Sequence, residues 1–99
     1  MHRPTHFTVE LEASGTGWTD LQEATARARR ATEEMRREGT QVRFLRSVFV
    51  PEEGACFFLF EGSSARLVRD AAVRAGLGVR GVRAAMRLEP DEEREGSWT

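Results

Sequence analysis

Two kinds of hydrophobic spacing alternate along this chain in the order strand, helix, strand, strand, helix, strand. From His6 to Glu12, Phe7, Val9 and Leu11 alternate with polar residues, as on a half-buried strand. A small, Gly-rich loop follows from Ala13 to Gly17. Thr19 with Gln22 three residues on makes a capping-box pattern, so a helix is expected from Asp20 to Glu38. Leu21, Ala24, Ala28, Ala31 and Met35 form its apolar stripe, which Trp18 extends. On its outer face Arg29/Glu33, Arg30/Glu34 and Glu33/Arg37 stand four residues apart, and Gly39 is the expected stop.

Gln41 to Val50 reads as a strand with Val42, Phe44, Val48 and Val50 on one face and Leu45 and Phe49 on the other. Pro51-Glu52-Glu53-Gly54 is turn chemistry. Ala55 to Glu61 is a strand apolar on both faces, Cys56, Phe58 and Phe60 against Phe57 and Leu59. Gly62-Ser63-Ser64 offers a cap for a second helix, Ala65 to Ala75, with Leu67, Val68, Ala71, Ala72 and Ala75 inward. Arg66/Asp70 and Asp70/Arg74 support its outer face, and Gly76 closes it. Val79 to Leu88 is the last strand, with Val82, Ala84, Met86 and Leu88 on one face, and Pro90 ends it.

This order is the split βαβ pattern. It predicts an α+β, ferredoxin-like βαββαβ domain over residues 1–89, a four-stranded antiparallel sheet with two helices on one face, and an acidic, disordered tail over 90–99. The chain's 99 residues suffice for one domain and not for two. Because the central hairpin is apolar on both faces, the sheet face away from the helices carries an apolar patch. Pairing two such faces buries it, so a homodimer of the dimeric α/β-barrel type is expected. Which face of the hairpin meets the helices is open at this level.

Fifteen basic residues, all Arg, oppose 16 acidic ones. A net charge of −1 argues against a dedicated nucleic-acid binder, and Glu33, Glu34 and Glu38 offset the Arg-rich helix face. No apolar run approaches the roughly 20 residues of a membrane helix. Cys56 is the lone cysteine, which excludes an internal disulfide, fits a reducing cytoplasmic setting, and reads as a buried, inert thiol.

Candidate chemistry is sparse. His2 and His6 are the only histidines, and a four-residue step along a strand spans about 13 Å, too far for both to hold one metal. His6, Glu10 and Glu12 share a strand face. Because the first and last strands of this fold are neighbours, Glu10 is expected to pair with Arg83 or Arg87. A cross-strand ion pair is the ordinary reading. Covered by a dimer partner, the same Glu–Arg–His cluster is suited to a small anion or to acid–base chemistry. Gly15-Thr16-Gly17 before a helix is a weak anion-site signal, and Trp98 stands alone in the tail.

Val42-Arg43-Phe44, Ser47 to Val50, Cys56 to Ser63 and Val68 to Leu77 resemble a small bacterial family of unknown function whose named members are nickel-binding proteins. The resemblance covers roughly residues 40–88, and more faintly the first strand and helix, and implies a dimerising ferredoxin-like domain. In the nickel-binding branch it places histidines at the equivalents of Thr25, Arg46, Ala72 and Leu77. None of these residues is a usual nickel ligand, so the resemblance implies a scaffold whose metal site is changed or lost, with no cofactor. Arg46 thereby joins His6, Glu10, Arg83 and Arg87 as candidate ligand-binding residues. Three classes of function fit: a homodimeric small-ligand or metal binder, a cofactor-independent enzyme (monooxygenase, isomerase or cyclase), and an accessory dimer without a pocket.

Overall fold

The expected element order is present. In a computed structural model, which describes residues 5–86 and 88, strands β1 (Thr5–Glu12), β2 (Val42–Val50), β3 (Ala55–Gly62) and β4 (Val79–Ala85) join helices α1 (Trp18–Arg37) and α2 (Ala65–Arg74). The strands form one four-stranded sheet in the order β2-β3-β1-β4, and every pairing is antiparallel. The fold is therefore ferredoxin-like. The two consecutive strands β2 and β3 form a hairpin, while the first and last strands lie side by side.

The helices cover the face presented by Phe7, Val9 and Leu11 of β1 and Cys56, Phe58 and Phe60 of β3. Leu21, Ala24, Ala28, Ala31 and Met35 of α1 and Val68, Ala71 and Ala72 of α2 close the core from above. Phe44 of the edge strand packs into it, edge-on to Phe60 at 5.4 Å between centroids and tilted to Phe58 at 5.8 Å. The hairpin question is thus answered: Cys56, Phe58 and Phe60 face the helices, and Phe57 and Leu59 face away.

Strict alternation fails in β2. The register slips between Phe44 and Arg46, so Leu45 and Arg46 together oppose Leu59. Val42 and Phe44 face the helices as expected. Beyond the bulge, Ser47 and Phe49 do so, and Val48 turns to the opposite face, where it is 51% exposed. The cause is Arg46. Unbroken alternation puts it in phase with Val42 and Phe44, under the helices, where an unpaired guanidinium is very costly. One extra residue turns it outward. Thr32, fully buried on α1, accepts the Phe44 N–H at 3.3 Å and donates to its own helix's carbonyls at Ala28 and Arg29. A second bulge, between Glu10 and Leu11 against β4, inserts Arg80 in the same way.

The helix ends follow their chemistry with two corrections. Ser64 accepts the Leu67 N–H and caps α2, and Gly39 at φ +95° follows the end of α1. The N-cap of α1, however, is Gly17 rather than Thr19, and it makes no side-chain cap. Trp18, expected in the core, is 65% exposed. β4 stops at Ala85, so Met86 and Leu88 stand in solvent rather than on a strand face. At the hairpin turn, Gly54 adopts φ +61°, and a Cβ there would collide with Ser14 Oγ.

Ion pairs run between elements. Among the described residues none of the expected four-residue helical pairs closes to 4.0 Å. Instead Arg74 forks onto Glu38 at 3.0 and 3.1 Å, and Arg27 Nε caps the C-terminus of α2 by donating to Ala75 O at 2.8 Å. Both tie α1 to α2.

Candidate functional site

The face away from the helices carries the candidate residues, and the register orders them in rows. Arg43, Glu61, His6 and Ala85 stand side by side; next come Arg46, Leu59, Thr8 and Arg83; then Val48, Phe57, Glu10 and Gly81. His6, Glu10, Arg46 and Arg83 thus share this open face, while Arg87 and the tail with Trp98 lie outside the described residues.

They do not form one cluster. His6 and Arg46 line a shallow cavity of about 320 Å³ with Arg43, Leu45, Leu59, Glu61, Ala85 and Met86. Arg43 pairs with Glu61 at 3.0 Å, whereas Arg46 makes no ion pair among the described residues. Glu10 lies two rows from His6 and one from Arg46 and does not line the cavity. Its register partner is Gly81, not Arg83, and its nearest cation is Arg80 at 3.9 Å. The expected pairing with Arg83 is therefore corrected: the β4 bulge presents Arg80 instead, which bonds Glu12 at 2.7 Å. Arg80 and a hydrogen bond from Ser14 N at 2.9 Å hold the Glu12 carboxyl below its ordinary range, the Ser14 bonds being the larger cause. Spacing alone gives no register, so the exchange of Arg80 for Arg83 was not legible. Arg43 and Glu61, directly opposite on β2 and β3, were missed for the same reason.

A second recess lies at the other side of the sheet. The N-terminal half of α1 leaves a groove of about 380 Å³ over the bulged half of β2, lined by Trp18, Leu21, Gln22, Thr25, Ala26, Arg29, Ser47, Phe49 and Cys56. Burial pushes the Cys56 thiol up, which keeps it neutral and unreactive.

The four positions where the resemblance puts histidines fall apart. Thr25 bonds Ser47 under α1, Ala72 and Leu77 are buried at α2, and Arg46 lies on the opposite sheet face. Among the described residues no three of His, Cys, Asp and Glu come close enough to hold a cation. Thr25, Arg46, Ala72 and Leu77 do not fit a nickel centre.

Together these features define a ferredoxin-like domain with one covered sheet face and one charged, half-apolar face. Residues 7–84 match the family described as nickel responsive protein SCO4226-like, and the chain belongs to that family. The crystal structure of SCO4226 from Streptomyces coelicolor A3(2) is similar, with a TM-score of 0.66 and 25% identity over 85% of this chain and 99% of that one. No curated protein matches.

Proposed function

We propose that this chain is a homodimeric, nickel-free branch of its family that binds a small anionic molecule on the open sheet face, in a cytoplasmic setting consistent with its lone reduced cysteine. The observation that carries the reading is the cavity beside His6 and Arg46. Three positive or protonatable groups, His6, Arg43 and Arg46, converge on it, and Glu61 neutralises only one. Leu45 and Leu59 give it apolar walls. A second sheet laid over Val48, Phe57 and Leu59 removes apolar surface from water and lowers the dielectric around Arg46, strengthening its hold on an anion.

The test is native mass spectrometry of untagged protein, desalted after incubation with nickel chloride, with malonate as the anion probe. A dimer that retains no nickel and takes up malonate, with uptake lost in Arg46→Glu, is the expected result. A monomer overturns the assembly, stoichiometric nickel overturns the metal-free reading, and uptake unchanged by Arg46→Glu overturns the site.

A further inference from the structure

We propose that the groove between α1 and the bulged half of β2 is a second binding site, for a small planar aromatic acid that carries a hydroxyl donor at its far end. Three features of the lining specify this ligand, and none depends on the open face.

The first is the floor. Thr25 Oγ1 donates to Leu21 O at 2.9 Å, which commits its only proton. Thr25 Oγ1 also lies 2.9 Å from Ser47 Oγ, so in that contact Ser47 must be the donor. Both hydroxyl protons are then spent inside the protein. What Ser47 Oγ turns to the groove is acceptor capacity, which selects an N–H or O–H donor and repels a carboxylate. The Cys56 thiol beside it is neutral and adds only polarisable surface.

The second is the wall. Leu21, Ala26 and Phe49 are apolar, and Trp18, 65% exposed, stands at the groove with no aromatic partner among the described residues. The two rings, Trp18 and Phe49, suit an aromatic ligand. The third is Arg29. It lines the same groove, rests over the Phe44 ring at 5.4 Å, and makes no ion pair with a carboxylate among the described residues. The ring beneath it favours this placement while its charge stays available to an anion. The volume, about 380 Å³, lies near the lower bound for small-molecule sites.

The groove exists because of the bulge. The extra residue at Leu45 brings small Ser47, rather than Arg46, under α1 opposite Phe58, and Ala26 lines the groove with it. A β-bulge beside a site is a recurring way of re-aiming side chains.

The test is calorimetric titration of the full chain with 4-hydroxyphenylacetate, phenylacetate and tyramine, with the Trp18 indole N–H followed by NMR. 4-Hydroxyphenylacetate should bind one per chain and shift the Trp18 signal. Phenylacetate, which lacks the donor, and tyramine, which inverts the charge, should each bind roughly tenfold more weakly or worse. Ser47→Ala should erase the preference over phenylacetate, and Arg29→Gln the preference over tyramine. Because the ligand series uses the unaltered protein, the outcome does not hang on whether a variant folds. Equal affinity for the three compounds, or no shift at Trp18, overturns the proposal.

Discussion

Thr32 carries an interaction that no neighbour can replace. Phe44 lies on the edge strand β2, next to the bulge, and the buried Thr32 hydroxyl accepts its N–H. Thr32→Val keeps the shape and removes the acceptor, so a buried donor is left unmatched at a cost of about 1–3 kcal/mol. The melting temperature should fall by several degrees, and Thr32→Ser should restore most of it; equal melting of the wild type and Thr32→Val would sink this account. Cys56 supports a prediction of opposite sign to the usual carboxylate case. Burial raises its thiol above the ordinary 9.0, so the folded chain keeps a proton that the unfolded chain loses first. Stability should fall as pH rises through and beyond 9.0. The sequence holds neither Lys nor Tyr, so no other side chain titrates between that point and arginine. Cys56→Ala should therefore flatten the alkaline limb of a denaturation-midpoint profile, and a profile that keeps its slope would refute the assignment.

At the scale of elements, β2 is where the spacing misleads. Order, turn and most helix ends were legible because each has a local cause: Ser64 caps, Gly39 and Gly54 take positive φ, and apolar stripes fall where the core lies. A bulge has no composition of its own. Its one trace is Arg46 standing in phase with Val42 and Phe44, a conflict that only an extra residue resolves. Trp18 misled for a related reason, since the stripe of α1 runs on to it while the strand below offers only Ser47 and Phe49. The candidate site was half legible, for parity places His6, Glu10 and Arg83 on one face but only register says which of them are neighbours. The bulge gives a direct test. Deleting Leu45 removes the extra residue and leaves Ser47 and Phe49 under α1, so the fold should persist. Deleting Val48, three residues on, sends Phe49 to the open face and should lower the denaturation midpoint well below that of the Leu45 deletion. The reverse order would show that the bulge is not where the register places it.

At the scale of the molecule, the sheet is the unsolved surface of a single chain. One face lies under two helices, and the other leaves Val48 half exposed beside partly covered Phe57 and Leu59. A domain of this size has little spare burial, and in the proposed homodimer a partner's sheet would supply the missing part. If folding and pairing are linked, the melting temperature must rise with protein concentration, because mass action favours the paired state. Phe57→Arg separates pairing from folding. Phe57 stands beside Glu10 in the sheet, so the new guanidinium gains a carboxylate within the monomer while facing its own copy across a paired interface. The variant should fold, run as a monomer in sedimentation, and melt at one temperature at every concentration, whereas the wild type should gain several degrees over a hundredfold rise in concentration. A wild type whose melting is independent of concentration across that range would leave the open face to be covered by something other than a second copy of the chain, and would move the anion site beside Arg46 out of any shared interior.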